Sequence, residues 1–143
     1  MQIDEDKIRR ILGSYRTVAV VGMSKDPTKP ARKVPKFLIS KGYHVIPVNP
    51  TADEILGRKC YRTLREVPER VEIVDIFRPS QEVPEIVRQA IERGDVKVIW
   101  MQEGIANEEA ASEASAHGIE VIQDYCIYKA YKRFVMGEEP EEL

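Results

Sequence analysis

The chain has 143 residues, with 22 Lys and Arg against 24 Asp and Glu, a net charge of −2, 43% hydrophobic residues and 32% charged residues. That suffices for one domain with a sizeable core and is too little for two. The charge balance argues against a broad nucleic-acid footprint, and no apolar run approaches the roughly 20 residues of a membrane span.

The opening stretch MQIDEDKIRRILG is acidic where a secretory signal would be basic, so the cytoplasm is the expected compartment. Asp4 is placed to cap a first helix with Ile8, Ile11 and Leu12 on one face and Gly13 at its end. TVAVVG (17–22) follows as the first strand. ARKVPKFLISKG (31–42) carries Ala31, Val34, Phe37 and Leu38 at helical spacing, interrupted by Pro35. YHVIPV (43–48) and IVDIF (73–77) read as the second and third strands, joined by a stretch that is mostly loop with one short helix. Ser80 is the expected cap of a helix buried through Val83, Ile86, Val87, Ala90 and Ile91. VKVIWM (96–101) is the fourth strand. Asn107 caps a small-faced helix of Ala110, Ala111 and Ala114, and IEVIQ (119–123) is the fifth strand. Asp124 is the expected cap of a last helix turning Ile127, Ala130, Tyr131 and Phe134 inward. The acidic residues 138–143 have nothing to bury and are expected to form a flexible tail beyond a single domain of residues 1–137.

Near-continuous apolar strands alternating with helices predict an α/β fold: a Rossmann-like, doubly wound, five-stranded, mainly parallel sheet with helices on both faces. Ligands of such folds bind beyond the carboxyl ends of the strands, near the switch point. The first of these loops, GMSKDPTKPARK, lacks the later glycines of a dinucleotide fingerprint and offers Lys25, Lys29, Arg32 and Lys33 against one Asp26. Gly22 permits a tight turn, and the following helix N-terminus favours an anion. The second strand ends in PVNP, with no acid in place for an NAD ribose, and Arg78 adds a cation after the third strand. These features suit a ligand with more phosphate than a pyrophosphate alone. A solvated surface loop remains the alternative, and the cations would also suit the 2′-phosphate of NADP in a Rossmann oxidoreductase.

Taken together, VAVVGMSKDPTKPARKV, GYHVIPVNP, ILGRKCYRTLREVP, VDIFRPS and VIWMQEGIANEEAASEASAHGIEVIQDYC resemble the small stand-alone CoA-binding proteins. These are similar to the N-terminal CoA-binding domain of the succinyl-CoA synthetase alpha subunit and of ADP-forming acyl-CoA synthetases. The resemblance spans about residues 5 to 135. It implies coenzyme A or an acyl-CoA as ligand. It would place the phosphates at Gly22, Met23, Ser24, Lys25 and Arg32, to which the charge of the loop adds Lys29, and adenine beside Val48, Asn49 and Pro50. Phe77, Arg78 and Pro79 would meet the nucleotide, and Gln102, Glu103 and Gly104 would lie on the pantetheine path. It also implies that ligase activity would need a separate ATP-grasp partner. Pro35 and Tyr125 depart from the family's pattern.

No catalytic constellation is expected. The two cysteines form no disulfide framework, and with the two histidines they form no metal-spaced group. His44 and His117 fall away from the ligand edge. Asp75 lies within the third strand and is expected to face a polar layer or the sheet edge. Cys126, at a predicted helix N-terminus where a thiol pKa falls, is the candidate for a mixed disulfide with CoA, ahead of Cys60. Trp100, Tyr128 and Tyr131 are candidates for a contact between copies of the chain if exposed.

Overall fold

The computed structural model describes residues 3–143. Its sheet comprises β1 (Thr17–Val21), β2 (His44–Val48), β5 (Ile73–Ile76), β6 (Val98–Met101) and β7 (Glu120–Ile122), in the order β2-β1-β5-β6-β7. Every pairing in it is parallel. The central strands β1, β5 and β6 are buried almost throughout, which is why they read as unbroken apolar runs. Helices cover both faces. On one lie α1 (Glu5–Ser14), α2 (Pro30–Ser40) and α5 (Ile127–Ala130), which runs on into a π-helical turn, Tyr131–Val135. On the other lie α3 (Val83–Arg93) and α4 (Glu108–Ala116), the small alanine face of α4 packing close on the sheet.

The caps show which local signals held. Asp4 accepts from the Lys7 N–H at 3.0 Å, and Asn107 accepts from the Ala110 N–H at 2.9 Å. Gly13 does not end α1, which runs to Ser14. Ser80 does not cap α3: it opens a 3₁₀ turn, Ser80–Glu82, and its hydroxyl instead accepts from the Ala106 N–H. Asp124 does not cap α5 either. It takes φ +53°, and its carboxylate accepts from the Gly104 N–H at 2.7 Å, so Cys126 occupies the cap position.

The segment between β2 and β5 is more ordered than a loop. It contains an antiparallel hairpin of β3 (Glu54–Ile55) and β4 (Arg58–Lys59), then a 3₁₀ turn, Leu64–Glu66. The hairpin turns on Leu56 and Gly57, both at positive φ, as a two-residue type I′ turn requires. Two-residue strands are too short to show a period, and leucine at a left-handed position hides the turn.

Trp100 is fully buried and Tyr128 nearly so, which removes both from any contact surface between copies. No described helix is long and apolar enough to cross a membrane. Glu138, Glu139 and Glu142 of the acidic tail pair with Lys132, Arg133 and Lys129.

Candidate functional site

The crossover from β2 to β5 passes β1, so the sheet reverses its winding between β1 and β5. At that switch point Gly22 turns with φ +93°, and its N–H donates to the Val48 carbonyl at 2.9 Å. A side chain there would have no room: a Cβ on Gly22 would lie 2.8 Å from Arg78 Cδ and 3.2 Å from the Phe77 carbonyl carbon. Glycine is required both for the backbone angle and for the stem of Arg78 that crosses it.

Beyond Gly22, Met23 plugs into the core and leaves Ser24 and Lys25 at the surface. The loop is laced internally. The Ser24 hydroxyl accepts from the Asp26 N–H, and Asp26 accepts from both the N–H and the hydroxyl of Thr28, at 2.9 and 2.7 Å. The Thr28 hydroxyl bond lowers the Asp26 pKa, as does the Thr28 N–H. Asp26 therefore acts as a loop brace and leaves the neighbouring lysines free. Lys29 precedes α2 without a side-chain cap, and Pro30 fills the first helical position.

Pro35 has a local explanation. An N–H at position 35 would bond the Ala31 carbonyl four residues back. Proline lacks that donor, and the Ala31 carbonyl accepts instead from the Ser24 N–H at 3.1 Å. The irregularity in the helix is thus what ties the loop to it.

Asn49 clamps two loops. Its amide donates to the Met23 carbonyl at 2.8 Å, while its side-chain oxygen accepts from the Thr51 N–H and hydroxyl. Its side chain is occupied within the protein, and of its neighbours Pro50 is exposed whereas Val48, at the end of β2, is buried. Arg78 is similarly engaged: its guanidinium forks onto Glu82 at 3.1 and 2.8 Å, which holds the Glu82 carboxyl below its usual range. Arg78 is therefore a paired cation, unlike those of the first loop, and Pro79 beside it is exposed.

After β6, Gln102 is buried and accepts from the Ile127 N–H at 3.0 Å. Glu103 pairs with Lys129 at 2.8 Å, and Gly104 has φ +80°. Cys126 is buried, and burial pushes its thiol pKa up, contrary to the lowering expected at a helix N-terminus. Cys60 is also pushed up by burial. Both are free thiols. A small cavity of about 90 Å³ is lined by Gln102, Glu103, Cys126, Tyr128, Lys129, Glu142 and Leu143. A larger concavity, of about 610 Å³, lies between α4 and β7 and is lined by Glu108, Ala111, Ser112, Ser115, Val121 and Gln123.

Because all five strands are parallel, residues 22–32, 48–50, 77–79, 102–104 and 126 gather along one edge of the sheet. His44 lies at the opposite edge beside Glu69, and His117 closes α4. Asp75 departs from expectation. It faces neither a polar layer nor an edge, being fully buried between Val20 and Trp100 in register, with neither carboxyl oxygen partnered among the described residues. The segment expected to be mostly loop holds the β3–β4 hairpin, whose cations Arg58 and Lys59, with Arg62 just beyond, stand next to the Asn49 corner through the Asn49–Tyr61 backbone bond. The run RKCYR carried that signal.

Among the described residues, Lys25, Lys29, Arg32, Lys33, Arg58, Lys59 and Arg62 form no ion pair with a carboxylate. The arginines of α1 and α3, by contrast, are paired. Those first seven lie around the turn at Gly22 and the corner at Asn49, while Lys7, Arg16, Lys36, Lys41, Arg70 and Lys97 are unpaired cations scattered elsewhere among the described residues.

A family model described as a CoA-binding domain matches residues 16–132. The uncharacterized protein YneT of Bacillus subtilis is 39% identical over 125 residues, covering 87% of this chain and 92% of that protein. The ADP-forming acetate–CoA ligase II of Archaeoglobus fulgidus is 30% identical over 115 residues, covering 78% of this chain but only 17% of the ligase. Among solved structures, a hypothetical protein from Pyrococcus horikoshii OT3 superposes with a TM-score of 0.89 at 38% identity, covering 93% of each chain. The apo form of the dinucleotide-forming acetyl-coenzyme A synthetase 1 of Ca. Korarchaeum cryptofilum superposes with a TM-score of 0.69 at 31% identity, covering 80% of this chain and 27% of that one. With its Rossmann-like parallel sheet and a family match over most of its length, the chain belongs to the CoA-binding domain family.

Proposed function

We propose that this chain binds coenzyme A, or an acyl-CoA, along the carboxyl edge of its sheet, and that it is a binding module without chemistry of its own. The observation that carries this reading is the group of cations around Gly22 that lack carboxylate partners. Unpaired cations crowded at a glycine turn and a helix N-terminus repel one another, and a polyanion relieves that repulsion.

In this reading the turn through Gly22, Met23 and Ser24 receives the pyrophosphate, the N–H groups of Gly22 and Ser24 being spent on Val48 and Ala31, and Lys25 brings charge to it, with Lys29 and Arg32 above. Val48, Asn49 and Pro50 flank the adenine, and Phe77, Arg78 and Pro79 close on the nucleotide from across the switch point. The pantetheine arm runs past Gln102, Glu103 and Gly104 towards the small cavity at Cys126. The buried Cys126 thiol, with its raised pKa, serves there as a packing surface.

Isothermal titration calorimetry tests the proposal. CoA is expected to bind saturably, dephospho-CoA at least about tenfold more weakly for loss of a charge-assisted contact, and NADP more weakly still. Tighter binding of NADP than of CoA would replace this reading with the oxidoreductase alternative. A second reading, a CoA-binding subunit acting with a separate ATP-grasp protein, draws on the likeness to the ADP-forming ligases, of which the chain spans a small part. Co-purification with such a partner, and acyl-CoA formation only in its presence, would establish it.

A further inference from the structure

The hairpin β3–β4 belongs to the edge just described. The Asn49 N–H donates to the Tyr61 carbonyl at 2.8 Å, Tyr61 bridges to Val48, and the Cys60 thiol donates to the Asn49 carbonyl at 3.6 Å. The Cys60 N–H donates back to the Asp53 carbonyl at 2.9 Å. The charge of Lys25 reaches far enough to lower the Cys60 pKa slightly against the dominant effect of burial. The phosphate loop and the hairpin therefore flank a common corner.

The hairpin's register sorts its two cations. Ile55 pairs with Arg58, and Glu54 pairs with Lys59, so Arg58 leaves the ribbon on the Ile55 face and Lys59 on the other. Ile55 is buried in the cluster that holds Met23, Ala52 and Cys60, beneath the phosphate loop. Glu54 and Lys59 are exposed, with the Lys59 ammonium 5.3 Å from the Tyr61 ring centroid. Arg58 Nε is buried and has no hydrogen-bond partner among the described residues. A guanidinium cannot shed its proton, so a buried, unpartnered N–H of this kind is costly until an acceptor arrives.

We infer that Arg58 is the residue that reads the separate ribose phosphate of the ligand, the group that distinguishes CoA from dephospho-CoA. This rests on the CoA reading of the site and adds to it a named discriminator outside the first loop. The loop cations serve the pyrophosphate, whereas Arg58 approaches from the hairpin on the far side of the Asn49 corner. A second phosphate on the ribose is the part of the ligand that needs an independent wall, and a planar guanidinium fork suits a phosphate dianion.

The test is the ratio of CoA to dephospho-CoA affinity, measured by calorimetry for wild type, R58Q and K59Q. Each variant removes one positive charge, and only R58Q removes the inward-facing one. The expected result is a fall in CoA affinity of about tenfold to a hundredfold in R58Q, with dephospho-CoA unchanged, while K59Q keeps the wild-type ratio. An unchanged ratio in R58Q, or an equal fall in both variants, overturns the assignment. Should R58Q not fold, R58K, which keeps the charge and loses the fork, is measured in the same way and is expected to lower the ratio. Wild type that binds neither nucleotide would overturn the CoA reading itself, a result distinct from a wild type that discriminates and an R58Q that still does.

Discussion

The Asp75 carboxyl stands at the middle of the central strand, fully buried and without a partner among the described residues, so burial raises its pKa well above the usual carboxylate range. The folded chain therefore holds a proton that the unfolded chain releases at about pH 4. Linkage fixes the sign: stability is undiminished below the unfolded pKa and is lost as pH rises from there towards the folded one, by up to about 1.4 kcal/mol per pH unit. Glu82 and Asp26 have lowered pKa values and act oppositely, their stabilisation being lost only on acidification below about pH 4. Between pH 5 and 8 Asp75 should dominate. Urea unfolding is expected to show stability falling across this window in the wild type and a flatter profile in D75N; a wild-type profile already flat there would mean that Asp75 is not a buried acid. Nothing local in IVDIF marks this residue, because a lone acid in a strand reads equally as an edge or as a core group. Arg78 was legible as a residue on the carboxyl edge, but its pairing with Glu82 was not, because Arg78 lies in the loop before the 3₁₀ turn, where no helical spacing announces a partner four residues on.

At the scale of elements, the strands were legible because each is a short apolar run bounded by turn residues, and their parallel arrangement follows from the helices between them. The hairpin was not legible, since its two strands have two residues each and its turn begins on a leucine. The end of α5 was legible only in part, because Ile127 and Ala130 are core residues whereas Tyr131 and Phe134 pack on a π-helical turn at the margin. Pro35 appeared as a flaw in α2 and is better understood as part of the loop before it. P35A restores an N–H that competes with Ser24 for the Ala31 carbonyl. The helix gains a hydrogen bond and the loop loses one. CoA affinity is expected to fall about threefold to tenfold while the melting temperature holds or rises; calorimetry and thermal melting on the same preparation separate these. A loss of both affinity and stability would mean that Pro35 supports packing and not the loop.

At the scale of the whole molecule, the net charge of −2 conceals a division. On α1, α3 and the C-terminal segment, arginines and Lys129 are matched to nearby carboxylates, as in Arg10–Glu120, Arg93–Asp95, Arg133–Glu139 and the bridge from Lys129 to Glu103 and Glu142. Around Gly22 and the hairpin the cations are unmatched. A polyanion thus meets overall repulsion at long range and attraction within a few ångströms of one corner. Salt screens both, but the close attraction is the larger contribution to the bound state. CoA binding is therefore expected to weaken about tenfold between roughly 0.05 and 0.5 M salt. The slope for dephospho-CoA should be shallower, because one fewer phosphate engages the corner. In R58Q the two slopes should converge, since the residue assigned to that phosphate is gone. Equal slopes for the two nucleotides in the wild type would show that the second phosphate lies outside the field of these cations, and would separate the charge asymmetry from ligand discrimination.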